Sequence, residues 1–312
     1  MIEFSFENKQ IFQKSRDSAF TEFLNKQSCA PIFIAQHVDH LMKKGFKGVS
    51  DDEVEKKLSQ IIELFQCLHA RDSFMKSYEK EFATRLLNKT SLASEHEELF
   101  LNKLKVECGA QALSKMVQMM KDIQLSAATQ NEFIQSIGGT TNVIEGCEFN
   151  IEILTNGTWP QMLDPPCSLP RELKSCTSKF ELWYKNANTS RQLTWLYTNG
   201  SVEVHMLYTP KKYQFTVNVF QATILCLFNE VDELTVKQIM QRTTMPAENF
   251  KAGMIRMCDP KVKLLLKKVN KPTFGDDEPI KPNPKFTSNA IKNNLIPIKS
   301  VKRKQAEPTE EE

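Results

Sequence analysis

The sequence predicts an α+β protein in which an N-terminal helical bundle precedes an α/β domain with a small antiparallel sheet and a winged helix. Up to about Ile137 the apolar residues recur at spacings of three and four, as on helices with one buried face. After Gly146 they alternate with a period of two, as in half-buried strands, and from Phe220 the pattern predicts three short helices and two strands. We therefore expect a helical bundle at 1–140, an α/β sheet domain at 144–219, a winged-helix unit at 220–301 and a disordered tail at 302–312.

The helical half contains a first apolar run that ends at Gly45 and two later helices that begin with a capping-box spacing. These boxes pair Ser50 with Glu53 and Ser94 with Glu97. In such a box the serine hydroxyl accepts a backbone N–H of the first turn, and the glutamate reaches back to the residue that caps the helix. About six helices with short connections indicate antiparallel neighbours in a bundle.

Helical spacing also predicts which side chains form the core of this bundle. One helix carries aromatic residues at spacings of four: Phe74, Tyr78 and Phe82. A later helix carries three methionines: Met116, Met119 and Met120. Methionines can form an adaptable ligand surface, but their spacing here favours packing in the core.

The second half contains the strands. Phe149–Leu154 alternates apolar and polar residues, which predicts a half-buried strand, and a helix is predicted after Pro170 because proline suits the first helical position. Asn199-Gly200 lies between two alternating stretches and predicts a tight hairpin, because both residues accept positive φ angles. The sequence therefore predicts a small antiparallel sheet with a helix across it.

The predicted winged helix raises the possibility of nucleic-acid binding. Its wing strands are expected at Leu264–Val269 and Leu295–Val301, and its third helix at 247–257. Winged helices that bind DNA place this third helix in the major groove and need basic residues to neutralise phosphates. This helix offers only Lys251 and Arg256, so nucleic-acid binding is kept as an alternative and a protein contact is preferred.

Charge is unevenly distributed along the chain. The whole sequence has 41 basic and 38 acidic residues, but residues 261–304 hold 12 basic and three acidic ones, and the last eight residues hold four acids and no base. A positively charged segment attracts an acidic partner over about 8 Å at physiological salt. The candidate residues for binding an acidic partner are Lys261, Lys263, Lys267 and Lys268.

Several function classes find no support in the sequence. The eight cysteines are scattered without a Cys-x-x-Cys pair, which predicts reduced, packed thiols, and no glycine-rich phosphate loop is present. His37 and His40 lie three residues apart without a further ligand at metal-binding spacing. We expect no catalytic residue, no cofactor and no metal. The absence of a signal peptide and of a long apolar run predicts a cytoplasmic and nuclear protein without membrane contact.

Five segments in order along the chain resemble the cullins, the scaffolds of RING-type ubiquitin ligases. They are Ser77–Leu87, Leu104–Gly109, Asn156–Pro160, Ser190–Trp195 and Phe220–Asn229. The first resembles a segment in which a Phe-Tyr pair precedes Leu-Ala-Lys-Arg-Leu, with departures at Ser77, Phe82 and Thr84. The third matches a Gly-x-Trp-Pro turn, and the fourth resembles Gly-Arg-Lys-Leu-x-Trp with departures at Ser190 and Gln192.

This resemblance implies a non-catalytic scaffold of a cullin-RING ubiquitin ligase. It implies a domain that accepts a strand from a RING-H2 protein and positions the ubiquitin-conjugating enzyme through it, with the lysines above attracting that enzyme's acidic tail. Strand addition uses an open sheet edge for main-chain hydrogen bonds and nearby pockets for selectivity. The candidate residues for RING-subunit binding are Phe149, Ile151, Ile153, Trp159 and Trp195.

Two features of the family find no counterpart in this sequence. Members carry three long helical repeats that hold a substrate adaptor, and a second winged helix with the lysine that receives a ubiquitin-like modifier. We therefore expect no substrate adaptor and no neddylation lysine. A regulatory competitor of full-length cullins and a winged-helix nucleic-acid-binding protein remain as alternatives.

Overall fold

The computed structural model describes residues 10–139, 143–144, 146–160, 164–268 and 273–296. Packing divides the chain into two compact units, of which unit 1 is Met1–Asn142 with Glu148–Gln161 and unit 2 is Val143–Cys147 with Met162–Glu312. The disordered tail predicted at 302–312 lies outside the described residues. The domain border predicted between 219 and 220 stays a prediction. Val217 and Phe220, which lie on either side of this border, belong to one cluster of buried side chains.

Unit 1 is a helical bundle, as the sequence predicts. Its helices are α1 Gln10–Asn25, α2 Ala30–His40, α3 Asp51–Gln66, α4 Arg71–Leu87, α5 Ser94–Cys108 and α6 Ser114–Ser136. A π-helical turn, Leu41–Gly45, continues α2. The sequence pattern does not reveal α1, because this helix buries none of its side chains and has no clear apolar stripe.

Aromatic side chains of α4 form the centre of unit 1. Phe74, Tyr78 and Phe82 are fully buried, as their spacing predicts, and the ring of Tyr78 packs edge-on against Phe100 of α5 at 5.2 Å between centroids. The predicted core methionines are confirmed for Met116 and Met119, both buried on α6, and Met120 is half-buried.

A buried ion pair lies beside these rings. The Arg85 side chain of α4 is fully buried, and its Nε and Nη2 donate to Oε1 and Oε2 of Glu97 at 2.7 and 2.9 Å. Its third nitrogen, Nη1, donates to Oδ1 of Asp39 on α2 at 2.9 Å, so one guanidinium joins three helices. Burial on its own would lower the pKa of Arg85. The hydrogen bonds and charge of Glu97, the nearby Tyr78 and the hydrogen bond to Asp39 together outweigh burial and raise that pKa.

This ion pair explains why one predicted capping box is wrong. Glu97 is fully buried and accepts from Arg85 and from the hydroxyl of Ser91 at 2.6 Å, so its carboxylate does not cap the helix. Ser94 is the first residue of α5, and the cap position is occupied by Ala93 without a side-chain hydrogen bond. Ser50 does occupy the cap position of α3, but its side chain makes no cap hydrogen bond either.

Unit 2 combines helices with short strands. Its elements in chain order are β1 Val143–Ile144, β2 Cys147–Glu148 (of which Glu148 belongs to unit 1), α7 Arg171–Ala187, β3 Ser201–Met206, β4 Tyr213–Asn218, α8 Val219–Leu227, β5 Leu234–Thr235, α9 Val236–Thr243, α10 Ala247–Met257, β6 Leu265–Lys267, β7 Pro279–Pro282 and β8 Lys292–Asn294. One sheet has the order β3-β4-β8, in which β4 pairs antiparallel with β3 and parallel with β8. Another has the order β5-β7-β6, with antiparallel pairs. The predicted α+β class is confirmed.

Two predicted details of unit 2 can be set beside the structure. Among the described residues β6 pairs with β7, and the predicted wing strand Leu295–Val301 lies outside the described residues beyond Ile296; Leu295 donates its N–H to the carbonyl of Thr216 in β4. Asn199-Gly200 does not form a tight hairpin, because Tyr197–Asn199 is a 3₁₀ turn and Gly200 has a φ of −70°. The glycine is required for space, since a Cβ there would lie 2.6 Å from Cγ2 of Val219.

The buried ion pair predicts that substitutions of two glutamates in the same bundle lower the free energy of unfolding by very different amounts. We expect Glu97→Gln to lower the free energy of unfolding by about 3–5 kcal/mol, because it leaves a buried guanidinium without its main counter-charge. The matched control is Glu55→Gln, which breaks an ion pair with Lys103 in which Glu55 is exposed, and which should cost less than about 1 kcal/mol. Urea unfolding followed by circular dichroism measures both, and equal losses would contradict the assignment.

Candidate functional site

The candidate site of unit 1 is the segment Phe149–Thr155, which the structure places along α6. The sequence predicts a strand here, but among the described residues this segment pairs with no other strand. Its backbone hydrogen-bonds instead to side chains of α6. The predicted strand is therefore wrong: the period of two appears in the hydrogen bonds to 151, 153 and 155, but residues 151–154 are all half-buried and the neighbour is a helix.

Three polar side chains of α6 hold this segment: Asp122, Ser126 and Gln130. They lie four residues apart and so share one face of the helix. Their contacts fall on alternate residues of the segment, which we call the α6 ladder. Since alternate residues of an extended chain direct their N–H and C=O groups to the same edge, the ladder satisfies one edge of the segment.

Gln130 and Ser126 form the first two rungs. Gln130 donates through Nε2 to the carbonyl of Phe149 at 2.8 Å, and its Oε1 accepts the N–H of Ile151 at 3.1 Å. Ser126 is fully buried, and its hydroxyl oxygen accepts the N–H of Ile153 at 2.7 Å. The same hydroxyl lies 2.7 Å from the carbonyl of Asp122 in its own helix, to which it can donate.

Asp122 forms the third rung and has the most partners. Its carboxylate accepts the N–H and hydroxyl of Thr155, both at 2.8 Å, and the indole N–H of Trp159 at 2.8 Å. Nε2 of Gln118 donates to it from the preceding turn. Burial on its own would raise the pKa of Asp122, but these hydrogen bonds outweigh burial and hold that pKa below its ordinary value. Asp122 therefore stays a carboxylate at neutral pH.

The opposite edge of the segment is open. In the part of the chain that the structure describes, no hydrogen bond engages the backbone N–H or C=O of Glu152 or Leu154, the residues that alternate with the rungs. The side chain of Glu152 pairs with Lys89 at 2.8 Å, close to the end of α4. Beside this edge is a cleft of about 250 Å³, lined by Lys89, Ile123, Ala127, Gln130, Asn131, Asn150, Ile151 and Glu152.

The structure brings together four of the five residues predicted for RING-subunit binding. Phe149, Ile151 and Ile153 are half-buried in the segment, and Trp159 is buried just beyond it with its indole on Asp122. Trp195 belongs to unit 2, where its ring packs edge-on to Phe180 at 6.1 Å and its buried Nε1 meets no acceptor in the described structure. Sequence reasoning missed the ladder, although polar residues at i, i+4 and i+8 on a buried helix face are a visible signal.

The predicted basic residues lie in unit 2. Lys261, Lys263 and Lys268 are exposed, whereas Lys267 is half-buried with Nζ 4.3 Å from the centre of the Phe274 ring. Lys261 also lines a cleft of about 770 Å³. Two further basic residues, Lys211 and Arg256, line the same cleft, and sequence reasoning did not place them there. We call this the basic cleft; the residues that line it include no aspartate or glutamate.

The described residues give no support to a metal site or a reactive thiol. They contain no group of three or more histidine, cysteine or acidic side chains that could hold a metal, and His37 and His40 are exposed. Burial raises the pKa of Cys226 to about 11 and that of Cys258 to about 12, so both thiols stay protonated at neutral pH. Among the described residues no helix is both long and apolar enough to cross a bilayer.

Comparison with known proteins gives consistent matches along the chain. The family profile described as "Cullin alpha solenoid domain" matches residues 1–130, and the one described as "Cullin alpha+beta domain" matches residues 153–291. Cullin-3A of Arabidopsis thaliana is 33% identical over 315 aligned residues, which cover 100% of this chain and 42% of the relative. Cullin-3 of Dictyostelium discoideum is 34% identical over an alignment that covers 83% of this chain and 33% of the relative. Cullin-1 of Oryza sativa subsp. japonica is 29% identical over an alignment that covers 96% of this chain and 41% of the relative.

The lowered pKa of Asp122 predicts how stability depends on pH. The unfolded chain binds a proton at this carboxyl near pH 4, while the folded chain does so only at lower pH, so the stabilisation is present above about pH 4 and is lost as pH falls through the folded pKa. Asp122→Asn should therefore lower the free energy of unfolding more at pH 7 than at pH 3. Urea unfolding at the two pH values measures this difference. An equal loss at both would contradict it.

Proposed function

The chain belongs to the cullin family, and from this membership we propose that it is a non-catalytic scaffold of an E3 ubiquitin ligase complex, which binds a RING-H2 subunit by strand addition. The chain spans about two fifths of the length of the Arabidopsis and rice relatives, so partners and ligase activity are proposals for it. Through the RING subunit the scaffold would position a ubiquitin-conjugating enzyme. The observation that carries this proposal is the open edge at Glu152 and Leu154.

The geometry of this edge suits an incoming strand. An extended backbone with one edge satisfied and the other open offers main-chain donors and acceptors at alternate residues, about 6.6–6.8 Å apart. In an extended segment Glu152 and Leu154 would present their groups at this spacing. A partner strand that pairs here would gain main-chain hydrogen bonds, which give affinity with little dependence on its sequence.

Selectivity for the partner would come from side chains next to the edge. The cleft lined by Ile123, Ala127 and Ile151 has an apolar part, and Lys89 with Glu152 supplies charge at its rim. Such a cleft suits a side chain with an apolar stem and a polar head. Phe149 and Ile153 extend the apolar surface along the same segment, and Trp195 of unit 2 stays a predicted contact.

A second partner surface is the basic cleft of unit 2. Lys211 follows β3, Arg256 belongs to α10 and Lys261 follows α10, so three elements direct positive charge to one concave surface. Concave surfaces of one charge sign concentrate ligands of the opposite sign and speed their association. We propose that this cleft, together with the exposed Lys263 and Lys268, attracts an acidic segment of the ubiquitin-conjugating enzyme.

The nucleic-acid alternative is not favoured. Beyond Lys251 and Arg256, the predicted recognition helix α10 carries Glu248 in its first turn, and Arg256 lines the basic cleft. A helix that inserts into the major groove needs several basic or hydrogen-bonding side chains along its exposed face. A regulatory competitor would bind the RING subunit at the same edge and differ only in supporting no ubiquitin transfer.

The open edge is tested by removing one N–H from it. Glu152→Pro deletes the outward N–H and places a ring against the incoming strand, so we expect at least tenfold weaker binding to a purified RING-H2 subunit, in line with a lost hydrogen bond and a clash. The matched control Glu152→Ala removes the same side chain and its ion pair with Lys89 but keeps the N–H, so it should bind clearly more tightly than Glu152→Pro. Isothermal titration calorimetry measures both, and proline and alanine variants of equal affinity would overturn strand addition at this edge.

The basic cleft is tested by charge reversal. Lys211→Glu combined with Arg256→Glu should weaken binding of a glutamate-rich peptide by about tenfold or more and flatten the dependence of its affinity on salt, because the cleft then repels the peptide. The control reverses two lysines outside the cleft lining, Lys237→Glu and Lys57→Glu, which changes net charge equally. Fluorescence anisotropy at 50 and 200 mM salt distinguishes the two. If both double variants lose the same affinity, net charge and not the cleft binds the peptide.

A further inference from the structure

The α6 ladder does for the segment what a neighbouring strand does in a sheet. It satisfies the N–H groups of Ile151, Ile153 and Thr155 through side chains, so the segment does not need a second strand to be ordered. An isolated strand or hairpin in water is marginally stable at best. A strand anchored on one edge by a helix is therefore already extended, and in one register, before any partner arrives.

We infer that Asp122, Ser126 and Gln130 are positioning residues for partner binding, which pre-form the open edge from the α6 side of the segment; Gln130 also lines the cleft beside the edge. This inference rests on the proposed function and extends it to residues on the far side of the segment. Fixing backbone before binding lowers the entropic cost of association, so affinity should depend on the ladder. For Asp122 and Ser126, which do not line the cleft, this dependence acts through the backbone of the segment.

The ladder also specifies the register of the edge. Because the three rungs reach alternate residues, a slip of the segment by one residue would direct Glu152 and Leu154 towards α6 and turn the half-buried side chains of Ile151 and Ile153 to the other face. Asp122 adds a restraint at the end of the segment, since its carboxylate also accepts the Trp159 indole and the Thr155 hydroxyl. A partner therefore meets the same two residues each time it binds.

The ladder is tested by two hydroxyl deletions on the same helix. Ser126→Ala removes the acceptor of the Ile153 N–H, whereas Thr129→Ala removes a hydroxyl that donates only to the carbonyl of Leu125 in α6 itself. Both changes introduce a good helix former, so the helix itself should persist in both. Gln130→Met removes the rung to Phe149 and Ile151 at similar volume and gives a second variant; because Gln130 also lines the cleft, Ser126→Ala is the decisive test for binding.

Hydrogen–deuterium exchange of the full chain reads the ladder without any partner. We expect at least tenfold faster exchange in peptides that cover 149–155 for Ser126→Ala and Gln130→Met, with peptides from α3 to α5 unchanged, and parent-like exchange for Thr129→Ala. A purely structural role in the bundle would instead speed exchange throughout unit 1. Unchanged exchange at 149–155 in both ladder variants would overturn the inference.

Calorimetry with a purified RING-H2 subunit reads the consequence for binding. We expect Ser126→Ala and Gln130→Met to bind about tenfold more weakly than Thr129→Ala. Faster exchange with undiminished affinity would overturn the positioning role while leaving strand addition, tested by Glu152→Pro, intact. A parent chain that fails to bind the RING-H2 subunit would overturn the proposed function together with the positioning role, while the exchange data alone would still show whether the ladder orders the segment.

Discussion

Four residues of an α-helix rise about 6.0 Å and two residues of an extended chain rise about 6.6–6.8 Å, and this near-equality is the constraint on which the candidate site depends. It allows Asp122, Ser126 and Gln130 to meet alternate residues of the segment with hydrogen bonds of 2.7–3.1 Å. Over three rungs the mismatch stays near 1–2 Å, which side chains of different length can absorb. The open edge, the cleft beside it and the position of Trp159 all follow from this match.

The bundle provides the rigid support for that match. Arg85 joins α2, α4 and α5 through Asp39 and Glu97, and its guanidinium lies 5.4 Å from the centre of the Tyr78 ring, so charge and aromatic packing meet in one buried cluster. The short connection after α4 carries Lys89, which pairs with Glu152 of the segment. Helix α4 thus contributes Arg85 to the buried ion pair with Glu97, and Lys89, just after this helix, forms the ion pair with Glu152 at the candidate site.

Periodicity predicts those parts of the fold that depend on local burial. It identifies β3, where side chains mostly alternate between exposed and half-buried, and β4, where they alternate between buried and half-buried, and it identifies the aromatic stripe of α4. It does not identify β7, because Pro279–Pro282 has a proline at each end and such a segment is normally assigned to a loop. For the site, it finds the segment and its alternating residues but not the ladder, because a strand whose neighbour is a helix has the same pattern as one in a sheet.

Competition between local and long-range partners accounts for the remaining differences. Glu97 has the spacing of a cap, but it pairs in the core with the guanidinium of Arg85, twelve residues earlier. Gly200 has the sequence of a tight turn, but a glycine is needed there because its backbone lies close to Val219.

The ladder has a consequence for which substitutions the segment can accept. The hydrogen bonds of Gln130 and Ser126 to the segment engage its main-chain atoms, which every amino acid except proline supplies in full. These rungs therefore do not depend on which side chains stand at 149, 151 and 153, and substitutions there other than to proline should leave the shape of the open edge unchanged.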